Sequence, residues 1–341
     1  MQPFSERIFN YMIPWLNLPW PLDLESVFGR SAELVLEIGF GDGAFLIDQA
    51  KREPERNFLG IEVAWEPINR LFKGLEKEGI TNVRVIRSDA ALVLERVLPP
   101  DCLSKIIINH PDPWPKERHW PRRLIQNEFL ELLASCTKPG SQLRIATDHA
   151  DYANWISDKL GSQDYFSNTL SADRVEELEG HLVTRYQSKA QKDGIPNNFF
   201  IWERSEKSAP TRSFERTDEM PNVVFKGELD MKSLFEDFES QVHCEKHQNV
   251  DTVINLMRAY QQTSEGHWMI EVMVQEGRLC QQVGILVLSL EDSRFTLKPS
   301  TIGYPRSTWG VKRALWHVAR LLVAKNPNLE VVNSNVGSLL D

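Results

Sequence analysis

Between residues 33 and 161 the chain alternates repeatedly between a short apolar run and a longer amphipathic one. No other feature of the sequence restricts the fold as strongly. The runs "ELVLEI" (33–38), "NFLGIEV" (57–63), "VRVIR" (83–87), "KIIIN" (105–109) and "QLRIAT" (142–147) read as strands, with helices near 43–52, 66–78, 89–97, 123–137 and 150–161. Strands apolar on both sides and separated by helices make an α/β fold around a mostly parallel sheet covered on both faces. Two later runs, "YFSNTL" (165–170) and "NNFFIWER" (197–204), would bring the sheet to seven strands.

The polar stretch "SEKSAPTRSFERTDEMP" (205–221) has little periodicity and reads as a linker. A first domain over 1–204, with an N-terminal segment at 1–30, and a second over 222–341 are therefore expected. The second carries strand candidates "NVVFKGEL", "HWMIEVMVQ", "VGILVLSL" and "RFTLKP", with helices expected near 231–242, 249–262 and 311–325. That mixture makes it a smaller α+β module.

The composition limits the function. The opening residues mix acids and prolines among the apolar ones, which fits neither a signal peptide nor a membrane span. Cys102, Cys136, Cys244 and Cys280 are scattered without a C-x-x-C pair, so a cytoplasmic protein is expected, with neither a zinc knuckle nor a disulfide framework. A net charge of −9 means that any nucleic acid must be held by a local patch.

In "LVLEIGFGDGAFL" three glycines, Gly39, Gly41 and Gly43, lie between a strand and a helix, where a sharp turn brings backbone N–H groups close to a ligand. With Ala44 the spacing also satisfies a dinucleotide fingerprint. Three acids at successive strand ends narrow the choice. Glu37 can receive a cationic amine and would repel a pyrophosphate. Glu62 can accept both hydroxyls of a ribose. Asp89 can accept from an adenine amine, or act as a helix N-cap. A cofactor with an amine, a ribose and an adenine but no phosphate fits them all, and S-adenosyl-L-methionine is that cofactor.

The stretch "NHPDPWPKERHWPRR" (109–123) follows the fourth strand and is too rich in proline and charge to be core. Its strip from 116 to 123 carries Lys116, Arg118, His119, Arg122 and Arg123 with one acid, Glu117, at the start of the next helix, and phosphate contacts are the expected use. Trp114 and Trp120 interleave with the cations, either to stack on a base or to pack beneath the loop.

Taken together, "EIGFGDG", "GIEV", "PDPWPKERHWPRR", "ATD" and "TRYQSKA" resemble the bacterial tRNA (guanine-N(7)-)-methyltransferases over about residues 30–204. The resemblance implies a Rossmann-like S-adenosylmethionine-dependent methyltransferase fold, tRNA as partner and methylation of a guanosine in the tRNA variable loop. It also implies Asp112 as the catalytic acid bordering the cofactor, Asp148 as a guanine contact or N-cap, and Thr184, Arg185 and Gln187 as further substrate contacts. Two departures stand out. Tyr186 and Gln187 occupy places where the family has Phe and Glu, and Asn109 and His110 precede the proline where a Phe is usual; neither of these last two is assigned chemistry.

Other readings stay open on the residues: a methyltransferase acting on an exocyclic amine of a base, a nicotinamide dehydrogenase, or an inert RNA-binding protein. In the second domain His243 and His247 stand four apart, as two ligands on one helix face would, but no further ligands accompany them and no metal is expected. That domain's excess of acids makes it no obvious RNA grip. Steadying the tRNA or mediating assembly is its expected role, with monomer and homodimer both open.

Overall fold

The computed structural model describes residues 4–178, 196–210, 219–228, 235, 238–261, 267–302 and 305–339. The chain divides into two compact units, Met1–Phe214 and Glu215–Asp341.

The first unit is built on seven strands: β1 (Leu34–Ile38), β2 (Asn57–Glu62), β3 (Val83–Arg87), β4 (Leu103–Asn109), β5 (Thr137–Thr147), β6 (Phe166–Asn168) and β7 (Asn198–Arg204). Their order is β3-β2-β1-β4-β5-β7-β6, parallel except where β7 pairs with β5 and with β6. This is the expected mostly parallel, Rossmann-like sheet. Every residue of β1 is buried, because helices Ala44–Arg52 and Trp65–Glu78 cover one face and Asn127–Cys136 and Ala150–Gly161 belong to the crossovers after β4 and β5. The strand order reverses between β1 and β4, and there the tips of neighbouring strands diverge into a crevice.

The N-terminal segment is part of this unit. Met12 bridges Val85, the Ile13 N–H donates to the Val85 carbonyl at 2.9 Å, and Arg7 pairs with Glu76 at 3.0 Å, so the free edge of β3 is covered. Two expected helices differ in detail. The segment at 89–97 is a short turn of α-helix, Ala90–Leu92, continued as a π-helix, Val93–Val97. The helix expected from 123 begins at Asn127, because the cationic strip forms its own 3-10 turn, Glu117–Arg122, with Pro121 inside it.

The second unit is a seven-stranded antiparallel sheet in the order β14-β8-β13-β12-β11-β10-β9, from β8 (Val223–Lys226), β9 (Gln241–His247), β10 (Val250–Gln261), β11 (Trp268–Glu276), β12 (Leu279–Ser289), β13 (Arg294–Pro299) and β14 (Glu330–Ser334). Helix Trp309–Lys325 lays Val311, Leu315, Val318 and Leu322 on one face of the sheet, against Ile254, Val272 and Ile285.

Here the helix expected near 231–242 lies partly outside the described residues, and Phe235 within it is helical; the helix expected near 249–262 is corrected, because Val250–Gln261 is a strand, paired with a second strand at Gln241–His247. The turn joining them has Gln248 at φ 47° and Asn249 at φ 66°, the left-handed pair that a tight hairpin needs, and Thr252, Ile254 and Leu256 then point inward at period two. On a strand, His243 and His247 lie about 13 Å apart along the chain and cannot share an ion. They stack instead on His317 and Trp309.

Among the glycines that packing requires, Gly43 bears on the site. Gly43 sits at φ +78° before helix Ala44–Arg52, and a Cβ there would lie 2.6 Å from Leu71 Cδ1 and 3.2 Å from Leu71 Cα, on the neighbouring helix. Gly140 has the same φ with nothing within 4 Å. Gly43→Ala should therefore cost about 2–4 kcal/mol in chemical denaturation, strain and overlap combined, and Gly140→Ala only about 1–2 kcal/mol. Equal costs would contradict the packing role.

Candidate active site

The crevice at the β1/β4 switch holds a cavity of about 480 Å³ lined by Glu37, Gly39, Gly41, Glu62, Asp89, Asn109, His110, Asp112, Trp114 and Arg122, among others. Its floor is the tip of β1. The register places Glu37 beside Ile107 on β4 and, one strand further, Arg144 on β5. After Glu37 the backbone turns through Gly39 at φ +68° and Gly41 at φ +56°, conformations that cost glycine almost nothing.

Glu37 is 2% exposed. Its Oε1 accepts from Asn109 Nδ2 at 3.2 Å, and its Oε2 is buried with no hydrogen-bond partner among the described residues. Burial pushes its carboxyl up to about 8; the Asn109 hydrogen bond opposes this, Asp42 adds to it, and Arg144 opposes it more weakly. An orphaned buried acceptor on a cavity floor is what a cationic amine would complete. Glu62 turns Oε1 to the Val63 and Ala64 N–H groups at 2.8 and 3.1 Å, which orients its other oxygen for a diol. Asp89 does cap its helix, accepting from the Leu92 N–H at 3.0 Å, and lines the cavity as well. The three acids thus fit a ligand bearing an amine and an adenosine.

Asp112 is exposed at the cavity lip, between Pro111 and Pro113. Arg122 reaches the same lip with its guanidinium 5.1 Å from the Trp114 ring. Lys116 and Arg118 are exposed beyond the cavity; Arg118 Nε donates to His119 Nε2 at 3.2 Å, and the His119 ring meets Trp114 edge-on.

Several expected site residues are placed differently. Gly43 does not line the cavity, and its constraint is the contact with Leu71. Arg123 is not a surface cation: it is 3% exposed, donates to the Pro113 carbonyl at 2.8 Å, and lies 4.9–5.1 Å from the rings of Trp120, Tyr152 and Trp155. It clamps the proline-rich segment to helix Ala150–Gly161, and no phosphate can reach it there. Asp148 does not cap that helix, because His149 does, accepting from the Tyr152 N–H at 3.3 Å. Thr184, Arg185 and Gln187 lie outside the described residues. Sequence reasoning left Asn109 and His110 without chemistry, yet Asn109 is the residue that holds Glu37. The available signal was an amide at a strand tip neighbouring a buried acid.

A Rossmann-like sheet with three acids lining the cavity at its switch point fits a methyltransferase. A family model described as "Putative methyltransferase" matches residues 31–199. A tRNA (guanine-N(7)-)-methyltransferase of Nitrosococcus oceani is 43% identical over 206 residues, 60% of this chain and 84% of that protein. One of Thermotoga maritima is 30% identical over 292 residues, 85% of this chain and 90% of that protein. The chain belongs to the tRNA (guanine-N(7)-)-methyltransferase family. An alignment of 292 residues cannot be held within a first unit of 214, so the Thermotoga relative also matches well into the second unit. Among solved structures, the 16S rRNA methyltransferase KamB superposes with a TM-score of 0.42 at 17% identity, covering 54% of this chain and 93% of that one. Among the described residues no helix is long and apolar enough to cross a membrane.

Two outcomes follow from this geometry. With its carboxyl near 8, Glu37 is mostly protonated at pH 7 in the free protein, whereas an ammonium partner favours the carboxylate. S-adenosylhomocysteine should therefore release a proton on binding at pH 7 and bind more tightly as pH rises from 6 towards 8, a range in which the α-ammonium of this free amino acid stays mostly protonated. Calorimetry in buffers of different ionisation heat measures this, and a proton count of zero would contradict it. Arg123→Ala should lower stability by about 2–4 kcal/mol while leaving the salt dependence of tRNA binding unchanged. A reduced salt slope would return Arg123 to the phosphate grip.

Proposed function

We propose that this protein transfers the methyl group of S-adenosylmethionine to N(7) of a guanosine in the variable loop of tRNA, in the cytoplasm. The observation that carries the reading is the proline-rich segment's placement of Asp112 and Arg122 on the lip of the cavity whose floor presents the open oxygen of Glu37. A site for a cationic donor and a cation for an RNA phosphate thus share one opening. The similarity to named relatives in two bacteria agrees with this chemistry.

When bound, S-adenosylmethionine supplies an electrophilic methyl group on a sulfonium. The chain's residues do the rest. Glu37 takes the amine, Glu62 the ribose hydroxyls, and Asp89 faces the adenine while capping its helix. Guanine N(7) carries an in-plane lone pair and no proton, so no general base is needed; alignment and a nearby negative charge are. Asp112, fixed between prolines, provides that charge as positive charge spreads into the purine. Lys116, Arg118, His119 and Arg122 hold phosphates around the target, and Thr184, Arg185 and Gln187 complete the grip by their resemblance to the family motif. Methylation of an exocyclic amine would want a polar acceptor beside the amine; Asn109 donates its Nδ2 to Glu37 and keeps its Oδ1 unpartnered among the described residues, so the position of the methyl label separates the two chemistries.

Incubation with labelled S-adenosylmethionine and unmodified tRNA should yield N(7)-methylguanosine on nucleoside analysis. A label on any exocyclic amine would defeat the reading. Asp112→Ala should lower kcat by about 10²-fold or more with tRNA affinity retained. Arg118→Ala or Arg122→Ala should weaken tRNA binding and reduce the salt slope by about 1 each. Loss of tRNA affinity in the Asp112 variant would overturn this division of labour.

A further inference from the structure

The sheet of the second unit ends on two strands of different character. At one end β14 is five residues long, and its register with β8 shifts between Val331 and Asn333, an irregularity of the kind that blunts an edge. At the other end β9 runs for seven residues and pairs with β10 without a register shift. No described strand pairs with its other side, and it contains neither proline nor glycine. A regular, unblunted edge of this kind is the part of a sheet that accepts another strand.

The two-residue turn Gln248–Asn249 makes His247 and Val250 a hydrogen-bonded closing pair, and alternation from there decides which backbone groups β10 uses. Gln241, His243, Glu245 and His247 are engaged with β10, so the N–H and C=O groups of Val242, Cys244 and Lys246 point to the free side. The side chains of these three residues are exposed, Val242 at 61%, and Lys246 stays 59% exposed while it reaches Asp251 on β10 at 3.4 Å. His243 and Glu245 lie on the face that helix Trp309–Lys325 covers. His243 stacks on His317, and its Nε2 has no hydrogen-bond partner among the described residues. Glu245 accepts from Arg313 at 2.7 and 2.9 Å and contacts His317 at 2.7 Å; hydrogen bonding from Arg313 holds its carboxyl below the usual range, so it presents a negative charge.

We propose that β9 is a self-association edge: it pairs antiparallel with β9 of a second copy of this chain, about a two-fold axis at Cys244, and joins the two sheets into one. Few registers are available, because hydrogen bonds form only where outward-facing residues meet one another. The register centred on Cys244 uses all three: Val242 meets the partner's Lys246, Cys244 meets the partner's Cys244, and Lys246 meets the partner's Val242. Centring on His243 leaves Lys246 without a strand partner and sets His243 against itself. Centring on Glu245 strands Val242 and sets two carboxylates face to face. The Cys244 register instead places each His243 opposite the partner's Glu245, an imidazole against a carboxylate at the closer, non-hydrogen-bonded spacing. The contact is isologous and closes at two copies. So short an edge makes a small interface, and the dimer should be half-formed at about 10–100 µM.

Sedimentation velocity on the full chain from about 1 to 300 µM should show monomer and dimer and nothing larger. Val242→Lys sets a like charge against the partner's Lys246 at both ends and should weaken the dimer about fivefold, whereas Val242→Glu should tighten it by a similar factor. Adding Lys246→Glu to Val242→Lys should restore the wild-type affinity. Cys244→Pro removes the central outward donor at a position where an edge strand tolerates proline, and should leave the protein monomeric with its circular dichroism unchanged. Should that variant fail to fold, the exposed Val242 series carries the test. A short bismaleimide should link two wild-type chains and fail to link Cys244→Ser, which should still sediment as a dimer. Monomer at every concentration, equal effects of Val242→Lys and Val242→Glu, a dimer that Cys244→Pro leaves intact, cross-linking that survives Cys244→Ser, or polymers growing past the dimer would each overturn the proposal.

Discussion

A carboxyl group buried at the tip of a central strand, with one oxygen answered and the other open, is the constraint around which the first unit is arranged. Water stabilises a carboxylate far better than a protein interior does, so a fold keeps such a group only where something completes it. At Glu37 the completion is partial. Asn109 from β4 fills one oxygen, Arg144 from β5 supplies distant attraction, and the other oxygen is left buried and unpartnered among the described residues. Each depends on the sheet order, because only a β1/β4 switch brings these strand tips together around a crevice.

The same register organises the mouth of the crevice. Asn109 turns back to Glu37, while His110, one residue on, lies beside Asp148. The proline-rich loop then leaves the sheet and is anchored by Arg123 in its aromatic cage. That clamp explains how a segment with four prolines and few aliphatic residues presents Asp112 at a defined place. Rigidity comes from one buried cation, while its neighbours Lys116, Arg118 and Arg122 stay exposed.

Much of this was legible in the residues, and the limits have physical causes. Strand tips follow directly from apolar alternation, so the sequence alone sets Glu37, Glu62 and Asp89 at adjoining ends and suggests a ligand for them. Arg123 could not be told from Arg122: they are neighbours in sequence, and only tertiary contact with Tyr152 and Trp155 buries one of them. Gly43 reads as a ligand-binding glycine by spacing, yet its constraint comes from Leu71, 28 positions away. Strand β10 reads as a helix because the turn before it, Gln248–Asn249, has no glycine to announce it. His110 and Asp148 meet through the pairing of β4 with β5, which no local pattern encodes.

The central claim, that the open oxygen of Glu37 reads the amine of the methyl donor, is tested most directly by a binding cycle. S-adenosylhomocysteine and its deaminated analogue are titrated into the wild type and into Glu37→Gln at one pH. The account predicts that deamination weakens binding to the wild type about tenfold or more and makes little difference to the variant. An equal loss in both proteins would show that Glu37 does not contact the amine.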